Sequence, residues 1–144
     1  MSARAASGND PTRALDADEV AAIERALAQY PDKRAACVDA LKIVQRRRGW
    51  VADEPLRGIA ALLGMSVDDL DAVATFYNLI YRRPVGRHVV HVCDSVSCWL
   101  MGADDVAARI RDELGARYGE TTADGRLTVL PIPCLGACDR APAL

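Results

Sequence analysis

The segments Cys93-Asp-Ser-Val-Ser-Cys98 and Cys134-Leu-Gly-Ala-Cys138 organise the rest of this chain. Four cysteines in two close pairs, arranged as one four-thiolate site, hold a 2Fe-2S cluster or a zinc ion, and the same residues can instead form two disulfides. Structural zinc sites usually draw on more tightly spaced cysteines, so the four residues between the first pair make zinc a strained choice. The spacing leaves all three alternatives open and favours the cluster.

The second segment adds to the case for iron and sulfide. Small residues, Gly136 and Ala137, stand between its cysteines. They let backbone N–H groups approach inorganic sulfide and bond to it, which tunes the potential of a cluster. A zinc ion gains little from such donors. We therefore expect a 2Fe-2S cluster, with zinc and disulfides as the alternatives.

Length and composition describe one domain, or a small domain with an appended helical piece. The 144 residues are 51% hydrophobic, which is enough for a core, and the net charge of -2 gives no electrostatic case for nucleic acid. No apolar run approaches the roughly 20 residues of a membrane span, so no membrane insertion is expected. Without a secretory signal, five cysteines favour a reducing compartment, and the expected location is cytoplasmic.

The first half of the chain reads as a tail followed by helices. Residues 1–15 are small and polar without periodicity and are expected to form a flexible tail. From residue 16 the apolar spacing becomes helical and predicts four helices over 17–81. Because the loops between them are short, neighbouring helices should run antiparallel and share one core.

Local signals mark the ends of these helices. Asp16 with Glu19 resembles a capping box, which starts the first helix over 17–29. Cys37 lies on the apolar stripe of the second helix and is interpreted as a small hydrophobe, not a ligand. The other signals are Pro31, Gly49 and Gly64 as stops, Asp53 and Ser66 as caps of the third and fourth helices, and Pro84 as the break after the fourth.

After the fourth helix the pattern changes from helical to extended. Residues 87–92 are rich in β-branched side chains and predict a strand that ends at Cys93. A helix follows and ends at Gly115, and residues 126–130 predict a second strand. Strand, helix and strand form a βαβ-like core. Both cysteine segments then leave the ends of neighbouring strands, so the four thiols can converge.

Other redox and catalytic patterns fit the chain less well. His88 and His91 invite a Rieske-type site, but they lie three residues apart on the strand before Cys93 and therefore on opposite faces. Neither cysteine pair has the Cys-x-x-Cys spacing of a thiol oxidoreductase. No glycine-rich nucleotide motif and no hydrolytic motif is present, so no catalytic residues are expected in this chain.

Three aromatic residues stand at informative places. Trp99 directly follows Cys98, and Phe76 with Tyr77 ends the fourth predicted helix. They either shield the metal site from water or pack in the ordinary core.

Four stretches together resemble a known family of redox subunits. Their order around the cysteines resembles the thioredoxin-like 2Fe-2S subunit of NADH-oxidising flavin modules, over residues 16–142. That family includes a peripheral-arm subunit of respiratory complex I, the equivalent subunit of NAD-reducing hydrogenases, and the gamma subunit of soluble NAD-dependent formate dehydrogenases. The stretches are Ala40-Leu-Lys-Ile-Val-Gln-Arg-Arg-Arg-Gly-Trp-Val51, Val73-Ala-Thr-Phe-Tyr77, Pro84-Val-Gly-Arg-His-Val-Val90 and Cys134-Leu-Gly-Ala-Cys138.

The resemblance implies an α+β fold. An N-terminal four-helix bundle over 16–83 is followed by a thioredoxin-like 2Fe-2S ferredoxin domain over 84–144. One 2Fe-2S cluster is implied, while FMN and NAD are expected on a partner subunit, with the cluster beside the flavin as a side acceptor or reservoir. The ligands that the resemblance implies are Cys93, Cys98, Cys134 and Cys138.

A hetero-oligomeric complex is also implied, in which a flavin/NAD-binding subunit and further iron-sulfur or molybdenum-type subunits are the partners. Because the chain is short, a soluble formate dehydrogenase is the favoured host, and complex I or an NAD-reducing hydrogenase is the alternative. A zinc-stabilised structural interaction module is the alternative of another class. After Cys138 only residues 139–144 remain, where this fold is expected to place another strand and a closing helix.

Overall fold

The computed structural model describes residues 14–144, and the chain divides into two compact units, Met1–Pro84 and Val85–Leu144. We call them the helical unit and the cysteine unit. The flexible tail was predicted over residues 1–15, and residues 1–13 lie outside the described part of the chain. Within the part of the chain that is described, no helix is both long and apolar enough to cross a lipid bilayer.

The helical unit contains four helices, as the apolar spacing predicts. The second helix, α2, contacts each of the other three, so its apolar stripe lies at the centre of the core. Cys37 is half-buried and packs against that core, which agrees with its interpretation as a small hydrophobe. The helices are α1 (Ala17–Leu27), α2 (Cys37–Arg48), α3 (Asp53–Leu63) and α4 (Val67–Phe76), with a 3-10 turn at Lys33–Ala36.

Most of the predicted helix ends are confirmed. In the capping box the Glu19 backbone N–H donates to Asp16 Oδ1 at 2.8 Å, and the Asp16 N–H donates to Glu19 Oε2 at 2.9 Å. Ser66 Oγ accepts a backbone N–H at 3.0 Å at the start of α4. Gly49 and Gly64 end α2 and α3 in the left-handed conformation, with φ of 86° and 65°, which favours glycine.

Asp53 does not cap α3, so that prediction is wrong. The capping position belongs to Ala52, and Asp53 is the first residue of the helix. Its carboxylate instead accepts from Arg82 Nη2 at 2.8 Å, while Arg82 Nε donates to Asp71 Oδ1 at 2.7 Å. Because a guanidinium offers charge-assisted hydrogen bonds, it outcompetes the backbone N–H groups for this carboxylate.

The fourth helix ends at Phe76, although the apolar stripe predicted a longer one. Beyond it, the Gln45 side chain holds the chain in an irregular path. Gln45 Nε2 donates to the Leu79 carbonyl at 2.7 Å, and Gln45 Oε1 accepts from the Tyr81 N–H at 2.6 Å. Ile80 is still buried in the core, which explains the apolar spacing there. A distant side-chain amide therefore replaces the last helical hydrogen bonds.

Phe76 and Tyr77 are exposed, so the alternative that packs them in the core is wrong. Their side chains are 78% and 47% exposed. The two rings contact each other edge to face, with centroids 5.4 Å apart and planes at 82°.

A buried ion pair joins α1 to α2. The Glu19 side chain is fully buried and that of Arg48 is 2% exposed. Arg48 Nε donates to Glu19 Oε1 at 2.6 Å, and Arg48 Nη2 donates to the second carboxylate oxygen and, at 3.0 Å, to the Ala14 carbonyl. Removing two charges from water is costly, and only this dense pairing offsets the cost. The pair therefore fixes how α1 lies on α2.

The cysteine unit contains the βαβ-like core that the sequence predicts. Its two strands pair in parallel, which requires a crossover, and α6 supplies it. Val106 and Ile110 of α6 pack with Val92, Ala116 and Val129. The elements are β1 (His88–Cys93), a short helix α5 (Val96–Leu100), α6 (Ala103–Leu114), β2 (Leu127–Ile132) and a 3-10 turn at Cys138–Arg140.

Gly86, just before β1, allows the two strands to start close together. Its N–H donates to Thr128 Oγ1 at 2.6 Å. A Cβ at this position would lie 3.0 Å from backbone atoms of Arg126 and Leu127. Any side chain would therefore push the start of β1 away from β2.

Replacing Glu19 by Ala should lower the free energy of unfolding by about 3 kcal/mol, because Arg48 would keep a buried charge without its partner. Urea unfolding followed by circular dichroism measures this loss. Glu24→Ala changes an exposed position on the same helix and should alter stability by less than about 0.5 kcal/mol. Equal losses in the two variants would show that the buried pair contributes little.

Candidate metal centre

The pairing of β1 with β2 brings the two cysteine segments to one edge of the sheet. Cys93 is the last residue of β1 and lies opposite Ile132, the last residue of β2. Cys134 follows two residues later in the chain. The Asp94 N–H donates to the Ile132 carbonyl at 3.0 Å, which continues the ladder past the strand. Because both strands point the same way, their carboxyl ends deliver both segments to the same side.

A short helix that the sequence did not predict places Cys98. This residue lies within α5 and is 1% exposed, so its thiol faces inward. Five residues are too few to show a helical apolar period. Ser95, a residue type favoured before a helix, is the one local signal, although its side chain makes no capping hydrogen bond.

The two pairs differ in burial. Cys93 and Cys98 are 2% and 1% exposed, whereas Cys134 and Cys138 are exposed. The first pair therefore lies in an apolar setting, and the second pair lies at the surface.

Backbone N–H groups surround the sulfur atoms. The Ser95 N–H, the Cys98 thiol and the Leu135 N–H bond to the Cys93 sulfur and hold the pKa of Cys93 below its ordinary value. The Gly136 N–H donates to Cys134 Sγ at 3.3 Å, from a glycine with φ of 73°. The small loop thus brings N–H donors close, as the sequence predicts, and here they reach cysteine sulfur.

Cys98 links the two segments electrostatically. The Ala143 N–H lowers the pKa of Cys98, but the hydrogen bond with Cys93, burial, and the charges of Cys93 and Cys138 outweigh it and raise that pKa. Negative sulfurs that crowd one another are stabilised by a metal cation, which binds cysteines as thiolates. The sulfur chemistry of this edge therefore fits an iron-sulfur cluster.

The end of the chain covers the first pair, which the sequence did not predict. The Cys93 N–H donates to the Ala143 carbonyl at 3.1 Å. Ala141 and Ala143 also pack against Cys93, Cys98 and neighbouring buried residues. Nothing in a run of small residues indicates such a contact, because it depends on the tertiary fold. Ala141 and Ala143 thus lie where they help to exclude water from the buried sulfurs.

The thiols of Cys93 and Cys98 contact each other directly through a hydrogen bond. Among residues 14–144, no group of three or more His, Cys, Asp or Glu side chains is arranged to hold one metal ion. A tetrahedral zinc site needs all four ligands around one point, whereas each iron of a 2Fe-2S cluster takes two protein ligands. A binuclear cluster would take its ligands from both cysteine segments, two thiolates to each iron.

Comparison with known sequences identifies the family. The sequence model of the thioredoxin-like [2Fe-2S] ferredoxin family matches residues 23–144. The NADH-quinone oxidoreductase E subunit of Pseudomonas aeruginosa is 50% identical over 130 residues, which cover 90% of this chain and 78% of that protein. The protein of the same name from Escherichia coli (strain K12) is 49% identical over 128 residues, covering 89% of this chain and 77% of that protein.

Among solved structures, an NAD+-reducing [NiFe]-hydrogenase in the H2-reduced state has a chain with the same fold. The TM-score is 0.60 and the sequence identity is 25%, over 75% of this chain. The match covers 18% of the hydrogenase chain, so this protein spans less than a fifth of that longer polypeptide.

These comparisons confirm the predicted thioredoxin-like fold with a helical N-terminal region and the 2Fe-2S cofactor. They do not support a formate dehydrogenase as the favoured host, because the relatives are named as NADH-quinone oxidoreductase subunits. The formate dehydrogenase was favoured because this chain is short. The length of the chain does not distinguish between the host complexes, since these NADH-quinone oxidoreductase subunits align over about nine-tenths of it. The chain belongs to the thioredoxin-like [2Fe-2S] ferredoxin family.

Proposed function

We propose that this chain is an electron-transfer subunit of an NADH-oxidising complex, equivalent to the E subunit of an NADH-quinone oxidoreductase. The observation that carries the proposal is the convergence of two cysteine pairs at one edge of a parallel sheet. A protein of that name shares 50% identity with 90% of the chain. The proposed ligands of the 2Fe-2S cluster are Cys93, Cys98, Cys134 and Cys138.

The surroundings of the sulfurs would set how readily an electron is accepted. When bound, the cluster takes up and releases one electron at a time. The N–H groups of Ser95, Leu135 and Gly136 stabilise negative charge on the ligand sulfurs and so favour the reduced state. Burial of Cys93 and Cys98 disfavours added charge. The reduction potential reflects the balance of these opposing effects.

The proposal assigns no substrate-converting residue to this chain. Hydride exchange with NAD and one-electron iron chemistry need different sites, so FMN and NAD belong on a partner subunit beside the cluster. Further iron-sulfur subunits complete the complex, and the cluster serves as a side acceptor or store of electrons. Thiolate ligands need a reducing compartment, so the proposed location is cytoplasmic.

Protein purified without oxygen should contain about two iron and two sulfide per chain. Reduction with dithionite should then give the EPR signal of a single 2Fe-2S cluster. Metal analysis by mass spectrometry on the same sample measures zinc. A colourless protein with stoichiometric zinc would instead support the structural interaction module and end the electron-transfer proposal.

Replacing Cys134 by Ser should lower the iron content or change the EPR signal, because a serine oxygen is a poorer ligand for iron than a thiolate. Cys37→Ser is the matched control, since Cys37 packs against the core of the helical unit. The control should keep about two irons and an unchanged signal, at a stability loss of roughly 1 kcal/mol. A Cys134→Ser variant that kept its iron and its unchanged EPR signal after reduction with dithionite would remove Cys134 from the ligand set.

A further inference from the structure

The Ala143 backbone is hydrogen-bonded to both buried cysteines. Its carbonyl accepts from the Cys93 N–H at 3.1 Å, and its own N–H donates to the Cys98 sulfur. The methyl group of Ala143 packs against the same buried cluster. Ala143 lies beyond Cys138 and so outside both cysteine segments. A residue that supplies no thiol therefore contacts each member of the first pair.

Negative charge on Cys98 is opposed by its surroundings. The residue is 1% exposed, and the sulfurs of Cys93 and Cys138 lie close enough to repel charge placed on it. Cys93 receives backbone N–H groups from within the two cysteine segments. For Cys98 the backbone N–H that favours charge is that of Ala143. This single donor thus acts on the sulfur where added charge is disfavoured.

We propose that the Ala143 N–H raises the reduction potential of the cluster, an inference that rests on the proposed function. With Cys98 as a ligand, reduction adds negative charge next to this sulfur. A hydrogen bond to sulfur stabilises the more negative state and so makes an electron easier to accept. Loss of the donor should therefore move the potential to more negative values.

The second hydrogen bond of Ala143 makes its N–H an effective donor. Because its carbonyl is held by the Cys93 N–H, the peptide is fixed at the end of β1. A donor that is fixed in advance needs little reorganisation when charge arrives, and its effect is larger in a buried setting than in water. The part of the chain that covers the first pair thus also adjusts its electron affinity.

The test is an EPR-monitored redox titration of the cluster-loaded chain without oxygen. Ala143→Pro removes the N–H and keeps the carbonyl that accepts from Cys93. At a fixed ambient potential, its ratio of reduced to oxidised cluster should be about 10-fold lower than in the unmodified chain. That ratio corresponds to a midpoint potential about 59 mV more negative for one electron.

Two control variants separate the hydrogen bond from other effects of substitution. Ala143→Gly keeps the N–H and removes the methyl group that packs against the pair, so its ratio should stay within ~2-fold of the unmodified chain. Ala141→Pro introduces the same ring two residues earlier, where the backbone φ of -60° suits proline. Its ratio should also stay within ~2-fold.

The outcomes separate this inference from the proposed function. Iron content and the EPR signal are measured on every sample, and an unmodified chain without a cluster would contradict the function itself. With the cluster present, an Ala143→Pro ratio within ~2-fold of the unmodified chain would overturn the inference. An equal shift in Ala143→Gly or Ala141→Pro would overturn it as well, because packing or the proline ring would then explain the change.

A second variant decides if Ala143→Pro binds no iron. Lactate incorporated in place of Ala143 exchanges the N–H for an ester oxygen without adding a ring, and its ratio should fall by the same factor. Loss of iron from this variant too, with Ala143→Gly still loaded, would make the N–H a requirement for cluster binding. The role in setting the potential would then be overturned.

Discussion

The parallel pairing of β1 with β2 is the constraint on which the metal centre depends. With Cys93 opposite Ile132, the two cysteine segments leave the sheet side by side. A shift by one residue would turn the Cys93 side chain to the other face of the sheet, because side chains alternate along a strand. Gly86 protects this register at the other end, where a side chain would meet the backbone of β2. The register of the sheet therefore determines where the Cys93 side chain lies relative to the second cysteine segment.

At that edge of the sheet, two features of the fold have opposite effects on the negative charge of the cysteine sulfurs. Cys93 and Cys98 are buried, which disfavours charge, yet backbone N–H groups donate to their sulfurs and favour it. Ala143 takes part in both effects, since it covers the pair, accepts from the Cys93 N–H and donates to Cys98. Burial and hydrogen bonds to sulfur both affect the reduction potential of a cluster, and here different parts of the chain provide them.

Features that depend on residues close together in the chain could be predicted from the sequence. Glycine stops such as Gly49 and the capping box at Asp16 were predictable because local geometry decides them. The βαβ order was predictable from apolar runs and their lengths. What it missed depends on distant partners: Arg82 draws Asp53 away from capping, Gln45 ends α4 early, and α5 is too short to show a period. The motifs do not distinguish the host complex of this chain, because members of one family share the same motifs.

The two units differ in how far each can stabilise itself. The helical unit closes a core around α2 and adds the buried pair of Glu19 and Arg48. The cysteine unit has about 60 residues, and its buried clusters consist mainly of small or branched side chains around Cys93 and Val129. Buried clusters of small side chains remove little apolar surface from water, so a bound metal or a partner adds comparatively much to the stability of such a unit. A metal group held by thiolates of both cysteine segments would tie these segments together and so add to the stability of this unit.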